Sequence, residues 1–400
     1  MDKLKSFLMK IAYCIVIVSL IEPTYLSRTL LHNILGLVRY VAFFAAIPMT
    51  FYYQIYKEKA FVLLSLLLIW IGVASVAYNG ALSDNYLYNT RLMFSILVFS
   101  SVAAKKMPRF YIASFAGIYS LWIFLQGVMW KSGGLFVNSN GQINFFLGTK
   151  TTMTYYFVPG ILFVLVYMEI AKRNKPTYSR LFFLMLAGGA FLYLTRQPIS
   201  TAILCTVLMA IGIYVLEKYP VVGEKIMKYG FLATFILCVL FIYNIVQEMF
   251  SFIIVDMLNE SIELNGRTQI WEQVMNYIYK RPLIGYGYSS GIRFDVWQEY
   301  NTSTHNFYLF LFFSSGLVGL GLFFGAIYSI HKKVLKKINF RIVRYILLTL
   351  IVINIECITE VCCFNAMYFS VLALSSNVEY ILPKKERLKA NFDMDLNLME

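Results

Sequence analysis

Two polar residues near the ends of one stretch have the types that group transfer requires: Arg267, within Gly266-Arg267-Thr268-Gln269-Ile270-Trp271, and His305, within Thr302-Ser303-Thr304-His305-Asn306. His305 follows a helix-capping sequence and precedes a long apolar run over 306–330. The positive end of that helix disfavours an imidazolium, so the ring is expected to be neutral and able to take a proton as a general base. The competing reading is an interfacial histidine that only caps or snorkels. Arg267 opens a predicted helix, where free backbone N–H groups, the helix dipole and a guanidinium together make a phosphate site. A surface ion pair with Glu263 or Glu272 is the alternative there. Arg196, in Leu194-Thr195-Arg196-Gln197-Pro198, falls in a connection so short that its charge must sit near a membrane boundary. A charge in that place has a task or a partner, unless it snorkels to lipid phosphate. Arg39 and Arg91 are weaker cases of the same kind.

The elements that position these residues are membrane spans. The 400 residues are 59% hydrophobic and 17% aromatic but only 14% charged, with a mean hydropathy of +0.66. That is far too apolar for an ordinary globular domain. Apolar runs of about 20 residues suit a ~30 Å hydrocarbon core. They occur at 8–21, 34–54, 60–78, 91–104, 110–130, 152–171, 181–195, 198–216, 229–247, 305–330, 342–360 and 364–382. The expected fold is thus an all-α polytopic membrane protein of about 12 transmembrane helices, forming one integral membrane domain over 1–400. With the N-terminus in the cytoplasm, alternate connections hold 25 of the 35 Lys and Arg residues, which places both termini inside. The formal net charge of +14 is then a product of topology. No basic groove or soluble domain exists to hold nucleic acid. The first apolar run lacks a small-residue cleavage site after it and reads as a retained span.

Between spans 9 and 10 lies one large polar loop, 248–304, on the outer side. It carries seven acids against four bases, so an anion bound there must be gripped by a few placed arginines and not by a diffuse field. From Gly266 to Arg281 its apolar residues recur at three and four, one face of an amphipathic helix expected at the membrane surface. Pro282 ends it, and Gly285 and Gly287 follow in a turn. Those glycines lack dinucleotide-fold spacing and have no βαβ unit around them. Six scattered cysteines give neither a disulfide framework nor metal spacing, although Cys357, Cys362 and Cys363 lie close enough in sequence to pair. No dense carboxylate cluster points to a divalent metal, and no cofactor is expected. Gly321 and Gly325 form a small-xxx-small pair suited to close helix contact within the bundle.

Gly266-Arg267 with Trp271, then Pro282 and Gly285-x-Gly287, then His305-Asn306 with Leu309, then Gly316-Leu317-Val318-Gly319, resembles the O-antigen ligase and polymerase superfamily of bacterial membrane glycosyltransferases. The resemblance covers about 266–320. It implies a metal-independent enzyme of the membrane-embedded GT-C type in the bacterial cytoplasmic membrane. Such enzymes join an undecaprenyl-diphosphate-linked oligosaccharide to an acceptor glycan on the outer face. Matched residue by residue, it implies that Arg196 and Arg267 bind the diphosphate and stabilise it as it leaves, while His305 deprotonates the acceptor hydroxyl. Gly266 and Asn306 stand beside them as substrate-binding positions. Membrane lipid and other polysaccharide assembly proteins are the remaining expected partners. A polymerase that joins lipid-linked repeat units is the leading expectation. A ligase that moves finished polymer to a lipid A core or another acceptor shares the same motifs. A transporter of the same lipid-linked sugars expects ionisable residues within the bundle, and the spans look poor in charge apart from Arg39.

Overall fold

A computed structural model describes residues 2–138, 141–172, 178–196, 201–243, 266–288, 291–296, 299–301, 303–361 and 364–382. Within the described residues each apolar run named above is helical over most of its length: α1 Asp2–Leu20, α2 Leu31–Tyr52, α3 Lys59–Asn79, α4 Asp84–Lys106, α5 Pro108–Val128, α6 Thr154–Lys172, α7 Ser179–Arg196, α8 Thr201–Lys218 and α9 Pro220–Ile242. The amphipathic segment forms α10, Arg267–Lys280. The last long runs form α11 Phe307–Leu335, α12 Arg341–Glu356 and α13 Ala366–Ser376, before the short α14 Val378–Ile381. Two small antiparallel hairpins, Phe136–Val137 with Ile143–Asn144 and Phe294–Val296 with Glu299–Asn301, are the described exceptions to an all-helical chain.

Among the described residues, eight helices are long and apolar enough to cross a membrane: α2 to α6, α8, α9 and α11. Helices α1, α7, α12 and α13 fill the other expected positions but are not in that set. The architecture is that of a multi-pass helical membrane protein. In such a chain each span must satisfy its backbone internally, which is why the apolar runs are helical. α5 packs between α6 and α7, α3 lies along α11, α4 along α13, and α12 is enclosed by α6, α8 and α9. Gly189 of α7 meets the backbone of Ile123 and Phe124 in α5, an approach that leaves no room for a β-carbon. Of the expected small-residue pair, Gly325 meets Leu63 while Gly321 faces open space.

One end of the bundle gathers the polar connections. Tyr25 N–H bonds Phe146 O at 3.0 Å, Tyr288 N–H bonds Ser75 Oγ at 2.8 Å, and Asn89 Nδ2 bonds the Tyr288 hydroxyl at 3.2 Å. The first part of the expected outer loop, 248–265, lies outside the described residues, as do the turn 197–200, Cys362, Cys363 and the tail from 383.

Two expectations are corrected here. The apolar face of α10 does not rest on the membrane surface: Ile270, Trp271, Val274 and Ile278 are buried against Leu309 and Phe313 of α11 and against Phe294. Protein, not lipid, covers that face. The cap of the following helix is Asn306 and not the Thr302-Ser303-Thr304 sequence. Its Oδ1 accepts from Leu309 N–H at 3.0 Å, and α11 begins at Phe307.

Candidate active site

Gly266 caps α10 at φ +81, a left-handed conformation that costs glycine little, and so sets Arg267 as the first helical residue. The fully buried Trp271, one turn on, donates from Nε1 to Thr304 O at 2.9 Å. Thr304 Oγ1 donates to Asn306 O at 2.9 Å, and His305 N–H donates to Ser303 Oγ at 3.2 Å. These bonds pin the peptide unit before His305 and tie Thr304 to the peptide unit after Asn306. The histidine takes φ +46 between them, a left-handed conformation in which histidine is enriched among non-glycine residues.

A third segment closes the site. The loop after α12 receives Phe307 N–H at Cys357 O (2.9 Å) and Asn306 Nδ2 at Ile358 O (2.9 Å). The same loop holds Arg267: Nη1 donates to Thr359 O at 2.8 Å and Nη2 to Glu360 Oε1 at 2.9 Å. The His-Asn motif and the Gly-Arg motif are therefore strapped to one four-residue turn, 357–360.

The electrostatics follow from that arrangement. Burial disfavours the imidazolium of His305, and the Arg267 charge adds to the effect, so its pKa falls to about 4. Glu360, only 6% exposed, is pushed the other way by burial, while Arg267 opposes the shift through its charge and its hydrogen bond. The site holds a fixed cation, a neutral imidazole and a carboxyl group whose ionised form depends on the cation. Such a set can bind an anion and accept a proton nearby. Among the described residues no group of three or more His, Cys, Asp and Glu is placed to hold a metal ion.

The five expected site residues divide. Arg267, Gly266, His305 and Asn306 come together. Asn306 is fully buried and its amide is spent on the cap, on Ile358 O and on Cys238 Sγ at 3.5 Å, so its visible work is to hold the turn. Arg196 ends α7 and bonds elsewhere: Nη1 donates to Gly127 O at 3.0 Å, with the guanidinium 5.8 Å from the Trp130 ring. Of the anticipated partners, Glu263 lies outside the described residues, and the ion pair of Arg267 goes not to Glu272 but to Glu360, ninety-three positions away. A signal for it existed, because Glu356 and Glu360 are acids four apart in an otherwise apolar stretch.

The remaining motif glycines build the scaffold beneath. At Gly316 (φ +61, ψ −165) α11 breaks its hydrogen-bond ladder. Leu317 N–H turns to Pro282 O at 2.8 Å, and the freed carbonyls of Phe313 and Ser314 accept from Tyr286 N–H (2.8 Å) and Gly287 N–H (2.9 Å). Trp70 Nε1 takes Ser315 O at 2.9 Å. The turn after α10 is thus stitched into a broken span, and it fixes the helix that carries Arg267.

Fold and site define a multi-pass membrane protein in which a docked extramembrane helix and the start of a span present an arginine and a neutral histidine at one end of the bundle. Residues 181–324 match the family described as O-antigen ligase, which supports the resemblance of its motifs to the O-antigen ligase and polymerase superfamily. That family is a membrane glycosyltransferase-like group that handles lipid-linked polysaccharide. The matched stretch contains Arg196, Arg267, His305 and Gly316. No curated protein and no solved structure matches the chain.

Proposed function

We propose that the chain is a polymerase of a bacterial surface polysaccharide, acting without a metal on the outer face of the cytoplasmic membrane, with both termini cytoplasmic. The observation that carries the reading is the shared strap: Arg267 and His305 are held by one turn, close enough for the arginine to shape the proton affinity of the histidine.

The donor is a glycan on undecaprenyl diphosphate. Its diphosphate binds Arg267, with Arg196 as a second cation for the same group. The acceptor hydroxyl of another lipid-linked repeat unit attacks the anomeric carbon. The new C–O bond forms as the bond to the diphosphate oxygen breaks, the electron pair leaves with the diphosphate, and His305 Nε2 or Nδ1 takes the hydroxyl proton. An anion bound at Arg267 cancels the cation that depresses the imidazole, so donor binding itself strengthens the base. Attack opposite the leaving group inverts the anomeric centre.

The test is an assay with purified protein and a lipid-linked repeat unit. Arg267→Ala and His305→Ala are each expected to lower polymer formation by about 10²- to 10⁴-fold, the usual scale for a positioned base or an anion-stabilising donor. Undiminished product from both variants sinks the mechanism, and abolition by a chelator sinks its metal-free form. The ligase reading is separated in a deletion strain: single repeats on the acceptor mark a lost polymerase, free polymer on undecaprenyl lipid a lost ligase. Transport is the weaker reading, although the bundle holds more ionisable groups than Arg39 alone. Glu356 ends α12, Glu360 follows it, and Glu22 precedes α2, so these groups lie at helix ends and not at mid-membrane.

A further inference from the structure

A second polar site, lined by none of the residues of the transfer site, lies between α2 and α4. Arg39 is only 6% exposed; Nη1 pairs with Glu22 and also donates to Ser19 O at 3.3 Å. His32 Nδ1 lies 3.0 Å from Glu22 Oε2 and 3.4 Å from Arg39 Nη2. Glu22 is in turn anchored by Tyr156, whose hydroxyl donates to its backbone carbonyl at 2.8 Å. This back wall is internally satisfied. Its front is not: Arg91 lies with its guanidinium carbon 4.2 Å from the Tyr40 ring, and among the described residues no acid pairs with it.

These groups enclose a cavity of about 200 Å³, lined by His32, Gly36, Arg39, Tyr40, Tyr88 and Arg91. Its size falls below the ~300–1,000 Å³ of sites for drug-sized ligands, so it suits a headgroup and not an oligosaccharide. Two arginines against one carboxylate leave a formal excess of one positive charge when His32 is neutral. Arg39 lies eight residues into α2 and Arg91 seven into α4, or about 12 Å and 10 Å along helices that start at the same end. The flank of α2 beside the cavity is apolar and exposed, through Ile34, Leu37 and Val41, as a lipid-facing surface is.

A guanidinium without an acid, set over a tyrosine ring beside an exposed apolar helix flank, calls for an anion that arrives with an apolar tail. We propose that this pocket binds the phosphate headgroup of a membrane lipid entering sideways between α2 and α4. Arg91 presents its free guanidinium edge to the phosphate, and Arg39, held by Glu22, closes the back. The inference rests on the membrane architecture and not on the transfer reaction. Tyr88 and its neighbour Asn89 connect the pocket to the outer loop, because the guanidinium carbon of Arg39 lies 5.4 Å from the Tyr88 ring and Asn89 bonds the Tyr288 hydroxyl.

The test uses the full-length protein in nonionic detergent, titrated with phosphatidylglycerol or with polyprenyl monophosphate, and bound lipid is counted by native mass spectrometry. Diacylglycerol and inorganic phosphate serve as competitors. Arg91→Gln is expected to weaken binding of one or both phosphate lipids by about tenfold or more, the scale of a lost charge-assisted hydrogen-bond pair. Arg91→Lys should keep most of it, and Arg109→Gln, at the start of α5 on the opposite end, should change nothing. The lipid that shows the Arg91 dependence identifies the source of the phosphate. Equal lipid on wild type and a folded Arg91→Gln variant overturns the proposal, as does diacylglycerol binding as strongly as the phosphate lipids. Displacement by an equal concentration of inorganic phosphate overturns the lipid assignment and makes this a free-anion site. Should Arg91→Gln not fold, Arg91→Leu, which removes the charge and suits an apolar helix, takes its place with the same expected loss.

Discussion

Arg267 Nη2 lies 2.9 Å from Glu360 Oε1, joining the first turn of an extramembrane helix to the turn after α12. The Glu360 side chain is nearly buried while that of Arg267 keeps about a quarter of its surface open, so the arginine is not sealed off by its partner. Glu360 thus aims a cation without masking it. Glu360→Ala is expected to leave Arg267 misplaced and the turn loosened. The loss should be about 3 kcal/mol, the low end for breaking a buried pair, because Arg267 is partly solvated. Melting temperature in detergent and polymer formation should both fall. The exchange Arg267→Glu with Glu360→Arg separates the two roles: it should recover part of the melting temperature and none of the activity. Recovery of activity by the exchange refutes anion binding at position 267.

His305 makes stability depend on pH in a definite direction. Its pKa is about 4 in the folded chain against 6.5 as the ordinary value, so the unfolded chain binds the extra proton first as pH falls. The stabilising effect of a neutral His305 is complete above about pH 6.5 and is lost as pH falls towards 4. Over that window the change is roughly 3 kcal/mol. Glu360 acts with the opposite sign, since a carboxyl raised by burial favours folding when protonated and opposes it as pH rises through its folded pKa. The measurement is therefore a difference: melting temperature of His305→Asn minus wild type, from pH 4 to 8. The gap should change steadily between pH 6.5 and 4 and be flat above. A gap independent of pH shows that His305 titrates normally.

How much of this was legible in the sequence differs by element. The apolar runs announced every long helix, because in a membrane chain apolar length and helicity are tied by the need to satisfy the backbone. Gly266, Arg267 and His305 were found because each sits at a helix boundary that turn and cap chemistry marks. Glu360 was not, since its partner is fixed by how α12 returns to the end of the bundle, and no local period encodes that. The cap was misplaced by two residues for a related reason. Thr304 has a capping side chain, but Trp271 claims its carbonyl and its own hydroxyl turns to Asn306 O. The helix therefore starts after the next residue able to cap. The amphipathic face of α10 was visible, and the sequence pattern alone does not say whether lipid or protein covers it.

Asn306 offers a direct separation of binding from scaffolding. Asn306→Asp keeps an oxygen for Leu309 N–H and loses the donor to Ile358 O, whereas Asn306→Ala loses both. The cap bond is worth about 1 kcal/mol and the buried, unpaired Ile358 carbonyl a further 1–3 kcal/mol. Melting temperature should fall in the order wild type, Asp, Ala. Activity per folded molecule should fall far less than for Arg267→Ala. A folded Asn306→Asp protein with a normal melting temperature and a raised KM for the lipid-linked donor points instead to direct contact with substrate.

Gly316 and Gly321 sit five residues apart in α11 and should respond oppositely to the same change. Gly316 has φ +61 with ψ −165, a region that residues with a β-carbon essentially do not enter, and an added carbon meets the backbone of Leu283 and Ile284. Gly316→Ala can relieve that contact only by moving the 282–287 turn, which undoes the exchanged bonds from Leu317 to Pro282 and from Tyr286 to Phe313. Since this turn follows directly on α10, Arg267 moves with it. Membrane-inserted protein should drop sharply, and what survives should have lost activity. At Gly321 an added carbon meets nothing within 4 Å, and alanine is the better helix former by about 1 kcal/mol. Gly321→Ala is expected to keep wild-type levels and activity or to raise the melting temperature slightly. If both variants behave alike, the break at Gly316 is not what holds the arginine in place.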